Sequence, residues 1–537
     1  MPSRLRTPRW LLASLSLLLP GAASTAPDAE KVQVDPQTGF FRDGHGRVRI
    51  FHGMNVVFKE APWYPPSDKF NPEDSFDSVT MDLLRKWGFN AVRLGVMWPG
   101  VEPTHGLVDH AYLHEMTRFA NMLSERGIYT VIDLHQDLGS RQFCGEGFPE
   151  HYIEALARDP NSTYSRAPPW PSPLPFKFPP LNETGGVPRL EDCLKHSFGE
   201  YYLTERVGAV WRELYTPGTA LRSGFLRYWD AVATAFRDEV RVLGYELLNE
   251  PSGYCLEGGP LSCRDAVHAL GNYVERTYLT PLYQAAAERI RALDKSTPIF
   301  FEATVVPKVS DAFPAVPLPN ETQQVFGYHI YCAPGDGRSG PAGFLCRTTQ
   351  DTYTHLYYGF LRKHRGVGGF MTEFGAIGGS PRELEHLGRL LDLADGMFQS
   401  WTYWMLKLYR DFTTANAAQS LYDDQGRLET EKLAALSRTF APAIAGTPSR
   451  MHFDVGSGGF ELTYVADVTS APTVVYVNEE LNYPGGFAVE EYPSECLNRT
   501  QTEPNYLNFQ LTEVHGCRGS TVSIRIWRKP ATSELVV

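Results

Sequence analysis

The sequence predicts a (β/α)8 TIM barrel followed by a small C-terminal antiparallel β-sandwich domain, and three observations predict it. Eight apolar, β-like runs alternate with helical patterns between about residues 46 and 440. Continuous apolar strands separated by helices imply a parallel sheet covered on both faces. No GxGxxG follows the first run, which argues against an open dinucleotide-binding sheet, and eight alternating units favour closure. Beyond APAIAGTPS (441–449) the text changes to short alternating runs with turns between them, the mark of a half-buried antiparallel sheet.

The eight runs are VRIFHGMN (48–55), FNAVRLGV (89–96), IYTVIDLH (128–135), VLGYELLNE (242–250), PIFFEAT (298–304), VFGYHIY (325–331), GFMTEFG (369–375) and QSWTYWML (399–406). Between them, apolar residues at three-to-four spacing predict helices over Phe76–Trp87, Tyr112–Arg126, Phe225–Arg237, Ala266–Leu293 (interrupted at Pro281) and Pro381–Leu393. The stretch 136–241 is a long insertion, with seven prolines between Pro168 and Pro180. It reads either as a rigid surface loop or as a cover over a site, because loops at barrel strand ends build active sites. The tail reads FELTYVAD, TVVYVNEEL, FAVEEY, YLNFQLTE and TVSIRIWRK. Packing against the barrel is its preferred role over independent ligand binding. The expected domains are a signal peptide at 1–26, a catalytic barrel at 30–440 and a sandwich at 447–537.

Composition narrows the function. The chain has 537 residues, 42 % of them hydrophobic and 21 % charged, and a formal net charge of −12. That balance excludes disorder as the main state and makes nucleic acid a poor partner, since a polyanion needs a concentrated positive field. Arg4, Arg6 and Arg9 precede an apolar run from Trp10 to Leu19, then Pro20, Gly21 and small residues to Ala26. This is the layout of a secretory leader, and its run is about half the ~20 residues a membrane span needs. The expected location is extracellular or lumenal, including lysosomal, with no transmembrane anchor.

Eight cysteines fit that compartment. Sequential pairing is expected: Cys144 with Cys193, Cys255 with Cys263, Cys332 with Cys346, and Cys496 with Cys517. None is spaced as in a zinc site. Sequons at Asn161, Asn182, Asn320 and Asn498 predict N-glycans.

Polar residues that could do chemistry fall at the ends of the predicted strands. Arg93 lies on the second and His135 and Asp137 follow the third. Asn249 and Glu250 end the fourth, His329 and Tyr331 the sixth, Glu373 the seventh, and Trp404 lies on the eighth. A barrel gathers such ends into one ring. Two carboxylates about 5–5.5 Å apart on that ring cleave a glycosidic bond with retention, one as nucleophile and one as acid/base. Each residue alone is more often a capping carboxylate, a core histidine or barrel filling; their order at consistent strand ends is what points to a site.

The chain resembles glycoside hydrolase family 5, over about residues 46–440. NAVRLGVMW matches the family's arginine at Arg93, DLHQD its histidine at His135, and LLNEP its asparagine and acid/base at Asn249 and Glu250. GYHIY matches His329 and Tyr331, MTEFG the nucleophile at Glu373, and SWTYWM the platform tryptophan at Trp404. Within the family, MNVVFKEAPWYP, DLHQD and the β-sandwich tail look like endoglycoceramidases. That resemblance implies hydrolysis between the oligosaccharide and ceramide of a glycosphingolipid, with Lys59, His135 and Asp137 on the sugar next to the cleaved bond. It implies no metal and no cofactor. The implied partner is a glycosphingolipid at a membrane or micelle surface, with a detergent-like activator as an accessory.

Three rivals remain open at this level. They are another family 5 β-glycosidase (a glucosylceramidase, an endogalactosylceramidase or a β-glucanase), a catalytically idle glycolipid-binding barrel, and a metallohydrolase built on His135, Asp137 and His329. The last lacks the paired histidine spacing of metal helices.

Overall fold

The eight apolar runs become strands because their residues are buried on both faces. The computed structural model of the protein describes residues 31–529 other than 169, 171–180, 185, 197, 258–271, 306–310, 332–340 and 414–416. Among these, β1 (His52–Val56), β2 (Ala91–Gly95), β3 (Tyr129–Asp133), β4 (Val242–Glu246), β5 (Ile299–Phe301), β6 (Gln324–Ile330), β7 (Gly368–Phe374) and β8 (Ser400–Tyr403) form a closed parallel barrel. β8 returns to pair with β1 through Trp401 opposite His52. The predicted leader (1–26) lies outside the described residues.

The helices follow their apolar stripes. They include α1 (Ser78–Lys86), α2 (His110–Glu125), α3 (Ala220–Phe236), α4 (Thr280–Leu293), α5 (Pro341–Lys363) and α6 (Pro381–Gly396). Asp77, Asp109, Thr219 and Ser380 cap four of them by accepting backbone N–H bonds, which satisfies donors that a helix start leaves open. Pro281 does not interrupt a helix. It sits in the first turn of α4, where its missing N–H is harmless, and a π-helical turn, Glu275–Leu279, precedes it. The start of that predicted helix, to residue 271, lies outside the described residues. α5 has no counterpart in the sequence reading. Its inner face is aromatic, with Tyr357 and Phe360 on Phe326, so no aliphatic periodicity marks it.

The run 48–55 divides between two sheets. Val48–Arg49 pairs with Phe41–Arg42 and Phe440–Ile444, while His52 opens the barrel. A seven-stranded sheet therefore runs Gln33–Val34, Phe41–Arg42, Val48–Arg49, Phe440–Ile444, Thr473–Tyr476, Tyr506–Leu511, Leu497–Glu503. It takes three strands from residues 33–49, which the sequence reading groups with the barrel. The physical reason is burial at the barrel floor, where Phe41 packs against Phe51, Phe300 and Phe370. A four-stranded sheet of Gly446–Asp454, Gly459–Ala466, Thr521–Arg528 and Phe487–Tyr492 faces it. Strict alternation along Gly459–Ala466 buries Phe460, Leu462, Tyr464 and Ala466, as one covered face requires.

Cys496–Cys517 closes the sandwich and Cys144–Cys193 closes the long third-strand loop, both as sequential pairing expects. Cys255 and Cys346 are also disulfide-bonded; their expected partners, residues 263 and 332, lie outside the described residues. Most of the proline-rich stretch does too, but Trp170 is seen against Phe143 and Tyr201. Asn161, Asn182, Asn320 and Asn498 are all exposed. Among the described residues, no helix is long and apolar enough to cross a membrane.

Candidate active site

Strand register assembles the site. Asn55 of β1 lies beside Arg93 of β2, Asp133 of β3 beside Glu246 of β4, and His329 of β6 beside Glu373 of β7. Arg93 is the hub and is fully buried. Its Nη1 donates to Glu373 Oε1 at 2.6 Å and to Asn55 Oδ1 at 3.0 Å, and its Nη2 donates to Asn249 Oδ1 at 2.7 Å. Its Nε donates to Glu246, and Asp133 lies 3.1 Å from Nη2. Burial opposes the guanidinium charge, but Asp133, Glu246, Glu373 and Glu302 outweigh it and hold the group charged. Asp133 itself is pushed up to about 7 by burial, against the pull of Arg93.

Glu250 and Glu373 meet across this hub. A carboxylate oxygen of each, together with a ring nitrogen of His329, lie within 4.8 Å of one another. His329 Nδ1 is 2.8 Å from Glu250 Oε1 and 3.5 Å from Glu373 Oε2. The Tyr331 hydroxyl donates to Glu373 Oε2 at 2.8 Å. Glu373 thus has a donor on each oxygen, which suits an ionised carboxylate. Glu250 sits at a φ of +39°, a strained setting for a side-chain-bearing residue. Gln136 holds it there, its Nε2 donating to the carbonyls of Asn249 and Glu250 at 2.8 and 3.1 Å. Asn249 Nδ2 returns a bond to the Gln136 carbonyl at 3.0 Å.

A second buried cluster adjoins the first. Lys59 Nζ donates to Asp137 and, at 3.0 Å, to Thr413 Oγ1. Asp411 and Glu146 lie 3.2 and 3.5 Å from it. Burial again opposes the charge, and Asp137, Asp411 and Glu146 keep Lys59 protonated. The backbones of Asp137 and Glu146 exchange bonds of 2.9 and 2.8 Å, which sets their side chains together. That pairing needs Gly147, whose φ is +125° and where a Cβ would lie 2.2 Å from Gln136 Cβ. Burial raises Glu146 well above the usual carboxylate range, with Lys59 working against it. Trp404 links the clusters: Lys59 Nζ lies 4.9 Å over its ring, and His135 stacks on it at 5.2 Å. His135 Nδ1 is 2.9 Å from Asp133 Oδ2, while its buried Nε2 has no hydrogen-bond partner among the described residues. Burial, with Lys59 nearby, pushes this imidazole down to about 3, so it is neutral.

All ten residues expected at the site therefore stand in two touching clusters. Asn55, Asp133, Gln136, Glu146, Glu246, Glu302, Asp411 and Thr413 were not foreseen. Asn55, Glu246 and Glu302 carried a usable signal, a polar residue inside or closing an apolar run; Asp411 and Thr413 come from a loop without pattern. Among the described residues, three acid–histidine groups have ligand-like spacing: His135/Asp137/Glu146, Glu246/Glu302/His329 and Glu250/His329/Glu373. In the first, the Lys59 ammonium already sits among the carboxylates, and Arg93 does so in the other two.

Comparison with known proteins gives the family and the fold. Residues 48–409 match the model of cellulase (glycosyl hydrolase family 5), and residues 438–526 match the glycoside hydrolase family 5 C-terminal domain. An endoglycoceramidase of Cyanea nozakii is 31 % identical over 92 % of this chain and 94 % of its own length. One of Hydra vulgaris is 32 % identical over 92 % and 89 %. The solved endo-glycoceramidase II from Rhodococcus sp., in complex with ganglioside GM3, superposes with a TM-score of 0.68 at 21 % identity, covering 92 % of this chain and 100 % of that one.

Proposed function

We infer that this chain, which belongs to glycoside hydrolase family 5, is a retaining hydrolase that cuts the β-glycosidic bond between the oligosaccharide and ceramide of glycosphingolipids. The observation that carries the chemistry is the pair Glu250 and Glu373, oxygens within 4.8 Å at one barrel mouth. That spacing leaves no room for a water between sugar and base, as inversion would need. The relatives named endoglycoceramidase supply the bond.

Glu373 is the nucleophile, aligned by Arg93 and Tyr331. Its oxygen bonds to the anomeric carbon as the C–O bond to ceramide breaks, and Glu250 gives its proton to the leaving oxygen. Glu250 then takes a proton from water, whose oxygen displaces Glu373. Asn249 keeps one Nδ2 proton for the sugar 2-hydroxyl after bonding Gln136. Lys59, Asp137 and the open Nε2 of His135 bind the hydroxyls of the same sugar, with Trp404 as its floor. His329 and Tyr331 hold the two carboxylates. A cavity of ≈ 210 Å³ opens beside Glu250, lined in part by Ala303, Val305, Phe326, Tyr328, Tyr353 and Tyr357. Glu250, which must reach the leaving oxygen, forms part of its wall, and its aromatic residues suit a lipid better than a second sugar.

The remaining expectations follow from the substrate and the leader-like N-terminus. The protein enters the secretory route, carries N-glycans at exposed Asn161, Asn182, Asn320 and Asn498, and works in a lumen or outside the cell. It meets its lipid at a membrane or micelle surface, with a detergent-like activator assisting extraction. The test is product analysis on a panel of gangliosides, neutral glycosphingolipids and galactosylceramides. Release of intact oligosaccharide plus ceramide is expected; stepwise loss of single terminal sugars, or no turnover of any lipid, overturns the reading.

A further inference from the structure

Strand β5 contributes a carboxylate that the two-carboxylate reaction does not call for. Glu302 follows Phe301 and is 4 % exposed. Its Oε2 lies 3.5 Å from His329 Nε2, while His329 Nδ1 lies 2.8 Å from Glu250 Oε1. The same Oε2 accepts from the Glu250 backbone N–H at 3.4 Å. One imidazole thus spans two glutamates, and the farther one also touches the nearer one's backbone. Gly327 makes room for this arrangement: a Cβ there would lie 3.0 Å from Glu246 Oε1 and 3.3 Å from Glu302 Cγ.

We propose that Glu302 is a positioning residue for the acid/base, holding His329 as an imidazolium that donates to Glu250 and thereby controlling the protonation of Glu250. The inference rests on the reading of Glu250 as acid/base. The groups around Glu302 are Arg93 from β2 at 3.8 Å, Glu246 from β4, His329 from β6, Tyr283 of α4 donating to its carbonyl at 2.9 Å, and Tyr357 of α5. Burial opposes a charge on His329, but Glu302, then Glu373 and Glu250, overcome it and lift the imidazole to about 10. Burial also raises the Glu302 carboxyl well above the usual range while His329 works against it, so the two share one proton. Glu302 leads the carboxylates that keep that proton on the imidazole, so replacing Glu302 loosens it. The replacement also removes a negative charge near Glu250, which then gives up its proton at lower pH.

The test uses the full-length protein with ¹⁵N-labelled histidine, the His329 signal being assigned by its loss in His329→Asn. In Glu302→Gln the His329 titration should fall by at least about one pH unit, and the basic limb of the kcat/KM profile should move about one unit toward acid. Glu302→Asp should restore most of both. Titration curves and profiles that coincide with the parent's overturn the proposal, and so does a loss of activity with an unmoved profile. If the glutamine variant does not fold, the aspartate variant decides alone: a smaller fall in the His329 titration is expected, and none overturns it. The NMR titration needs no substrate, so it separates failure of this proposal from failure of the glycosphingolipid reading.

Discussion

The two ends of the barrel each bury an arginine among carboxylates, and they differ in what surrounds it. At the strand C-termini Arg93 and His329 face Asp133, Glu246, Glu250, Glu302 and Glu373. At the opposite end, where the sandwich docks, Arg438 lies 2.8 Å from Asp395 and 2.6 Å from the partly exposed Asp392. Arg438 also donates to the Phe453 carbonyl at 3.0 Å. The upper cluster holds more acid than base and opens beside a cavity. The lower one has one cation between two aspartates, under His52 stacked on Phe440 at 3.7 Å. Excess buried acid keeps protons in the site and favours a positively charged transition state. One arginine gripped by two aspartates of a single helix inside a joint fixes one domain against another.

The comparison breaks most visibly at the nucleophile. Glu373→Gln should lower kcat by on the order of 10⁴-fold or more, since residues that act as a unit lose nearly all catalysis when one is removed. Its melting temperature should stay close to the parent's, because Arg93 retains Glu246 and Asp133. A substantial residual rate on a natural glycosphingolipid would remove Glu373 from the mechanism. Arg438→Met is the opposite case. Breaking a buried pair costs about 3–5 kcal/mol, so calorimetry should show marked destabilisation while kcat per folded molecule is unchanged. A variant as stable as the parent would mean the joint is held by packing alone.

The upper cluster was largely legible in the sequence, and the lower one was not. Arg93, Asn249, Glu250, His329, Tyr331 and Glu373 stand at or near the ends of long apolar runs, where a polar residue is conspicuous and barrel closure dictates its neighbours. Glu302 stands in the same kind of place, near the end of PIFFEAT, and carries the same local signal. His135 and Asp137 follow the third run in the same way, whereas Lys59 is marked only by a resemblance; Asp411 and Thr413 come from a loop with no period, so only the folded chain brings them to Lys59. Arg438 and Asp395 carry no local signal. Their meeting depends on α6 packing against Gly446–Asp454, a contact between domains that neither segment encodes alone. The two-residue strands of 33–49 are too short for any alternation to show.

The finest test of the comparison is pH. Asp395 is fully buried, and burial raises its carboxyl to about 6 despite Arg438. Asp392 on the same helix, His52 from β1 and Tyr358 from α5 also face it. An unfolded aspartate titrates near 3.9, so between about pH 4 and 6 the folded chain holds a proton that the unfolded chain has lost. Stability from this group is therefore complete below about pH 4 and is lost as pH rises through 6, by about 2–3 kcal/mol in all. Asp395→Asn removes that dependence. The variant has a constant offset from weakening the Arg438 pair, so the slope is the readout. From pH 4 to pH 7 its melting temperature should gain a few degrees on the parent's, with the pH profile of turnover unmoved. Asp133 at the other end is raised in the same sense, to about 7, but it is common to both proteins and cancels in the difference. A parallel pair of stability curves would show that Asp395 stays ionised throughout, and that the lower cluster tolerates its charge as readily as the exposed Asp392 does.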